Sequence, residues 1–158
     1  MIRIRALDLS LLLAVFFSLA SPTLGAEEAT IVDPIVGKLH EKITRFFDRL
    51  ANPEEGAAFN DLLLGSPLSE RTAAVKELIE RSKELPGRYG TRRDSEQISA
   101  KRIGKDVIVL KYLLKYEKFP VVWYFVYYRD FARLTPASDD YWIVISMRFD
   151  TQVELLGY

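Results

Sequence analysis

Apolar residues recur every three or four positions along the first half of this chain and every second position along the second half. The change of period, from a helical repeat to a strand repeat, falls near Tyr89-Gly90. Before it, three amphipathic segments follow one another. Asp33-Pro34 is a helix start, with Asp as the cap and Pro in the first turn. Ile35, Val36, Leu39, Ile43, Phe46, Phe47 and Leu50 then form one apolar stripe, which predicts a helix ending near Ala51. Asn52-Pro53 restarts a shorter helix whose buried side is Phe59, Leu62 and Leu63, with Gly65 placed to stop it. Ser66-Pro67-Leu68-Ser69 opens a third helix with Val75, Leu78, Ile79 and Leu85 on its apolar face, ended by Pro86-Gly87.

Beyond Gly90 the pattern predicts four strands. Thr91 to Ile103 is mostly polar and reads as an edge strand, whose charges discourage edge-to-edge pairing. Val107 to Lys118 alternates, with Ile108, Leu110, Tyr112, Leu114 and Tyr116 on one apolar face. Val121 to Arg129 has no polar face and is expected to be covered on both sides. Tyr141 to Asp150 is the last strand, with Thr151 to Leu156 as its continuation, after a loop from Asp130 to Asp140. Helices first and strands afterwards predict an α+β fold, three N-terminal helices packed on a curved antiparallel sheet of about four strands.

The segment ahead of the first helix belongs to neither period. Arg3 and Arg5 precede an uncharged apolar run from Leu9 to Ala20, and Ser21-Pro22-Thr23-Leu24-Gly25-Ala26 follows with a helix breaker and small residues. That order is what a secretory signal peptide requires. The run is shorter than the ~20 residues of a spanning helix. Residues 1–25 are therefore expected to be removed, after Gly25 or alternatively after Ala26 or Ala20. Residues 26–158 would then be a single domain in a periplasmic or extracellular compartment, with no stable membrane anchor after cleavage.

Composition narrows the chemistry. The chain has no cysteine, so disulfides, thiolate metal sites, a Cys nucleophile and a lipid-modified Cys are excluded. Its formal net charge is zero, and removal of residues 1–25 leaves the remainder one charge negative. No electrostatic footprint for nucleic acid is present. No sequence motif calls for a cofactor.

Several segments resemble a family of small exported bacterial proteins with an NTF2-like, also called cystatin-like, fold. They are Leu64-Gly65-Ser66-Pro67-Leu68, Tyr89-Gly90, the stretch from Tyr112 to Trp123 (YLLKYEKFPVVW), and the closing MRFDTQVELL from Met147 to Leu156. The resemblance covers nearly all of residues 26–158 and departs from the family in the longer polar loop from Phe131 to Asp140. It implies a cone in which helices close against a bent sheet around a cavity. It implies no chemistry, because that superfamily holds isomerases, dehydratases and non-catalytic domains alike.

Candidate sites are few. Tyr112, Tyr116, Trp123, Tyr127 and Trp142 belong to an aromatic cluster that either lines a ligand pocket or fills the sheet core. Arg148 shares a strand face with Asp150 and is a candidate for an anionic group, near either the lysines Lys111 and Lys115 or the aromatic face of the neighbouring strand. His40 is the single histidine, at the flank of the first helix's apolar stripe, and is the weakest candidate, as a general base. A metal site built on several histidines is excluded. The reading favoured on these grounds is a non-catalytic binding domain for a small apolar ligand or a protein partner. Its rivals are a cofactor-free isomerase, dehydratase or hydrolase using a cavity carboxylate or His40, and a homodimer joined through the sheet face.

Overall fold

The computed structural model describes residues 33–50, 55–131 and 141–152. The signal segment, the Asn52-Pro53 helix start, the loop from 132 to 140 and the extension beyond Gln152 lie outside the described residues. Helix α1 spans Pro34–Leu50 and α2 spans Glu55–Leu62. A 3-10 turn, Pro67–Glu70, leads into α3, Thr72–Lys83, and a short α4, Leu85–Tyr89. Four strands follow: β1 Arg92–Ile103, β2 Val107–Tyr116, β3 Pro120–Arg129 and β4 Trp142–Asp150. The fold is α+β, with one antiparallel sheet in the order β1-β2-β3-β4.

The local starts and stops follow from single residues. Asp33 accepts the Ile35 N–H at 3.0 Å, and its carbonyl accepts the Gly37 N–H at 3.1 Å, so α1 begins where its cap stands. Gly65, at φ 75°, stops the segment that follows α2. Buried Ser66 has two tasks. Its oxygen accepts the Leu68 N–H at 3.0 Å, and its hydroxyl donates to the Val144 carbonyl of β4. The Leu64-to-Leu68 motif is thus a helix stop and a pin between the helical layer and the sheet.

Gly90 is a second required glycine. Its φ is 86°, and a Cβ there would meet the Glu117 carboxylate oxygen at 2.7 Å. The same carboxylate accepts the Thr91 N–H at 3.2 Å and pairs with Arg93 at 3.1 Å. Tyr89-Gly90 therefore turns the chain from helix to strand against the β2–β3 turn.

The sheet registers divide its side chains into two faces. Ile108, Leu110, Tyr112 and Leu114 of β2 stand opposite Tyr127, Phe125, Trp123 and Val121 of β3. Trp123 and Phe125 stand opposite Phe149 and Met147 of β4. All of these but half-buried Met147 are buried, and Leu39, Ile43, Phe46, Phe47 and Phe59 of α1 and α2 pack on them. Phe46 and Phe47 each meet the Trp123 and Phe125 rings edge-on, with centroids 5.6–5.9 Å apart. This geometry adds about 0.5–1.5 kcal/mol per pair to the burial of the rings themselves.

Arg102 links three elements at one end of the sheet: its guanidinium lies 5.5 Å from the Trp142 ring of β4 while its nitrogens bond the Asp33 carboxylate at the start of α1. The strand registers are interrupted at Arg92/Asp94 and Gln97/Ser99 in β1 and between Val126 and Tyr127 in β3.

Two expectations are corrected. Pro86-Gly87 does not end the third helix. The helix breaks at Glu84, Pro86 sits in the first turn of α4, and Gly90 ends it. A proline lacks only a donor that a first turn leaves unused, so it starts this turn rather than stopping the one before. The expectation that β3 is covered on both sides also fails. On its outer face Val122 is buried, Tyr124 and Val126 are half-buried, and Tyr128 is 38% exposed.

Candidate functional sites

Tyr112, Trp123, Tyr127 and Trp142 all stand on the inner face and are at most 5% exposed. They are held in the core contacts just described. Tyr116 lies half-buried at the edge of this cluster, 6.4 Å ring to ring from Tyr89. Three polar atoms within the cluster, Trp123 Nε1, Tyr127 Oη and Trp142 Nε1, are buried without a hydrogen-bond partner among the described residues. Burial pushes the Tyr127 hydroxyl far above the ordinary tyrosine range, and Tyr112 nearby adds to that. The only buried polar residues of the described chain are Ser66 and Ser82. No described carboxylate is buried with the aromatic cluster.

His40 stands where α1 passes β2. Its ring is exposed overall, but Nδ1 lies 2.9 Å from the Tyr112 hydroxyl, and the rings stack at 5.8 Å. The same hydroxyl donates to Gln97 Oε1 of β1 at 2.9 Å. A tyrosine has one proton to give, so with that proton on Gln97 the histidine must donate from Nδ1. This leaves Nε2 as the basic nitrogen of the neutral ring. Burial drives the Tyr112 hydroxyl upward as well, so it stays protonated and keeps the chain of bonds intact. Val36, Gly37, His40 and Gln97 border a shallow hollow of about 260 Å³. The arrangement orients an imidazole but brings no described acid to it.

Arg148 is on the other side of the sheet. The register sets it opposite Tyr124, and its guanidinium carbon lies 4.3 Å from that ring. Lys111 of β2 reaches the same ring from the other neighbour, at 5.6 Å. Of the two groups that the sequence left open for Arg148, the lysine-bearing face is the one it joins. Arg148 makes no ion pair with a described residue, whereas Lys115, farther along β2, is paired with Glu96 at 2.7 Å. That carboxylate raises the Lys115 pKa. Around the Tyr124 centre lie half-buried Val109, Leu113 and Val126, with Ile145 and Tyr128 37% and 38% exposed. The described ring contacts between helices and sheet all fall on the inner face. The outer face is therefore a broad apolar surface with two cations at its centre and no described helix over it.

A third feature was missed by the sequence reading. Lys42, Arg45, Phe46 and Arg49 follow one another along one side of α1. With Ala58, Asp61 and Leu62, and with Trp142 and Ile143 of β4, they line a cleft of about 440 Å³. Arg49 is paired with Asp61 across it. The three- and four-residue spacing of the cations was visible, but nothing in the sequence showed that β4 begins beside them.

Among the described residues, no three histidine, aspartate or glutamate side chains gather as a metal site would need. No described helix is long and apolar enough to cross a membrane. Comparison with protein-family models, with curated proteins and with solved structures finds no match.

Proposed function

We propose that this chain is an exported, non-catalytic NTF2-like domain that binds a protein partner through the outer face of its sheet. The partner surface is apolar and carries acidic residues at its centre. The observation behind this reading is the Tyr124 ring held between Lys111 and Arg148 in the middle of an apolar face over which no described helix lies. Apolar area drives association, and a centre of one charge sign selects a partner of the other. Export is supported by the charged, apolar and small-residue segments of residues 1–26. The NTF2-like assignment is supported by the order of helices before a four-stranded antiparallel sheet. Binding is favoured over catalysis because the inner face holds packed rings and, among the described residues, no buried carboxylate, and His40 has no described acid beside it.

A homodimer through the same face is the rival reading. A two-fold contact centred on Tyr124 would set Arg148 and Lys111 against their own copies, and like charges at close range oppose association. The test is site-specific crosslinking in the source cells. A photo-crosslinking residue replaces Val126 on the outer face, and as a control Lys76 on the exposed side of α3. The expected result is a discrete adduct from position 126 that disappears in the Arg148→Glu background and is absent from position 76. No adduct, or one indifferent to Arg148→Glu, overturns the proposal. An adduct of twice the chain's mass supports the homodimer instead.

A further inference from the structure

We infer that the hollow between the start of α1 and β1 binds one small phenol, whose hydroxyl donates to His40 Nε2. The hollow is separate from the outer sheet face, and its case stands without that reading.

An oriented acceptor stands at its edge. His40 borders the hollow, and its Nδ1 donates to the buried Tyr112 hydroxyl at 2.9 Å. That hydroxyl spends its one proton on Gln97 Oε1, also at 2.9 Å. The imidazole proton therefore stays on Nδ1, and Nε2 keeps its lone pair. The two ring nitrogens point away from each other, so an Nδ1 turned to a buried hydroxyl turns Nε2 outward. The residue is exposed, and Nε2 bonds no described residue.

Gly37 supplies a second, independent observation. It lies inside α1, where glycine costs about 0.5–1 kcal/mol relative to alanine. Its φ is not positive, and a Cβ built there would meet no atom within 4 Å. Neither the backbone nor the described packing thus requires glycine at this place. Gly37 borders the same hollow, three residues before His40 on one side of the helix. Without a side chain, it lets a flat molecule lie against the helix backbone.

The lining then selects the chemistry. Val36 and Gly37 offer nothing to a charge, so an ammonium group would lose its hydration there at a cost. A carboxylate brings only acceptors and opposes the Nε2 lone pair. A neutral donor remains, and a phenolic hydroxyl donates more strongly than an alkyl one. The hollow of about 260 Å³ has room for a single ring, since a cavity of roughly 150 Å³ already holds benzene.

The chain has a single histidine, so one imidazole Hε1 resonance reports on the site. Phenol and anisole, its methyl ether, are titrated into the folded chain and followed by that resonance. The expected result is one saturable shift with phenol, and binding at least ~3-fold weaker for anisole, the scale of one hydrogen bond. Gly37→Leu fills the hollow and favours the helix. It should abolish the saturable shift while the circular dichroism spectrum stays that of the parent. Tyr112→Phe releases the tautomer without touching the ligand, and should reduce the preference for phenol over anisole. Lys76→Glu, on α3, should change neither affinity. A shift that does not saturate, equal affinity for phenol and anisole, or phenol binding retained in Gly37→Leu overturns the inference.

Discussion

The two faces of this sheet are built from the same strands and share many apolar residue types, yet their surroundings differ. On the inner face of β3 stand Val121, Trp123, Phe125 and Tyr127, all buried under α1 and α2. On the outer face stand Val122, Tyr124, Val126 and Tyr128, of which Val122 alone is buried. What separates them is the cover. Phe46, Phe47 and Phe59 interlock with the inner rings. The long side chains of Lys111 and Arg148 lie across the outer tyrosine, and no described helix does. Hydrophobicity alone therefore does not distinguish a face that packs under helices from one over which no described helix lies. The position of the helices does.

If that division is right, mutations on the two faces must differ in kind. The largest effect belongs to Trp123→Ala. Deleting a fully buried indole among Phe46, Phe47 and Phe149 should cost about 3–5 kcal/mol, read as the shift of the urea unfolding midpoint. An effect below about 1 kcal/mol would break the claim that the inner face is the core.

The next effect is set by pH. The Tyr127 hydroxyl is buried without a described partner and its pKa is raised in the folded state. The folded chain thus keeps it protonated while the unfolded chain releases its proton above about pH 10. Stability is fully present below that pH and falls as pH rises, by at most about 1.4 kcal/mol per pH unit from this one group. Tyr127→Phe should flatten the alkaline limb of a stability–pH curve. At pH 7 it should be neutral or slightly stabilising, because it removes an unsatisfied buried hydroxyl. An unchanged alkaline limb would contradict the assigned burial.

Ser66→Ala should cost about 1–2 kcal/mol, because one side chain both caps the Pro67 turn and holds the Val144 carbonyl. The smallest effects are electrostatic. Asp33 carries a lowered pKa, chiefly through its hydrogen bond to Arg102. Its contribution is present above the unfolded value near pH 4 and is lost as pH falls through the folded one. Asp33→Asn should therefore lower stability at pH 7 and lose that difference on acidification, as measured by thermal unfolding across pH 2–7.

Much of the fold was legible in the sequence because each signal was local. Asp33-Pro34, Gly65, Gly90 and the alternation from Val107 each act within a few residues, and the strands lie within a residue or two of where the pattern put them. The break at Glu84 was not legible, since Pro86 fits a helix start as well as a helix end. The sites were less legible because they depend on register and cover. Arg148 and Asp150 share a face by spacing alone. That this face is Tyr124's follows only from pairing Tyr124 with Arg148. Trp142 reads as a pocket aromatic in the sequence. That it borders one cleft with Arg45 and Arg49 requires the placement of α1 against β4.

The most direct test of the division between the faces is a paired measurement on one variant, Tyr124→Ser combined with Arg148→Glu. Urea unfolding and the crosslink from position 126 are read from that same chain. The account predicts a loss of unfolding free energy under about 2 kcal/mol, since Arg148 is exposed and Tyr124 only half-buried, together with loss of the crosslinked partner. A chain destabilised as severely as Trp123→Ala, or one that still forms the adduct at full yield, would contradict it.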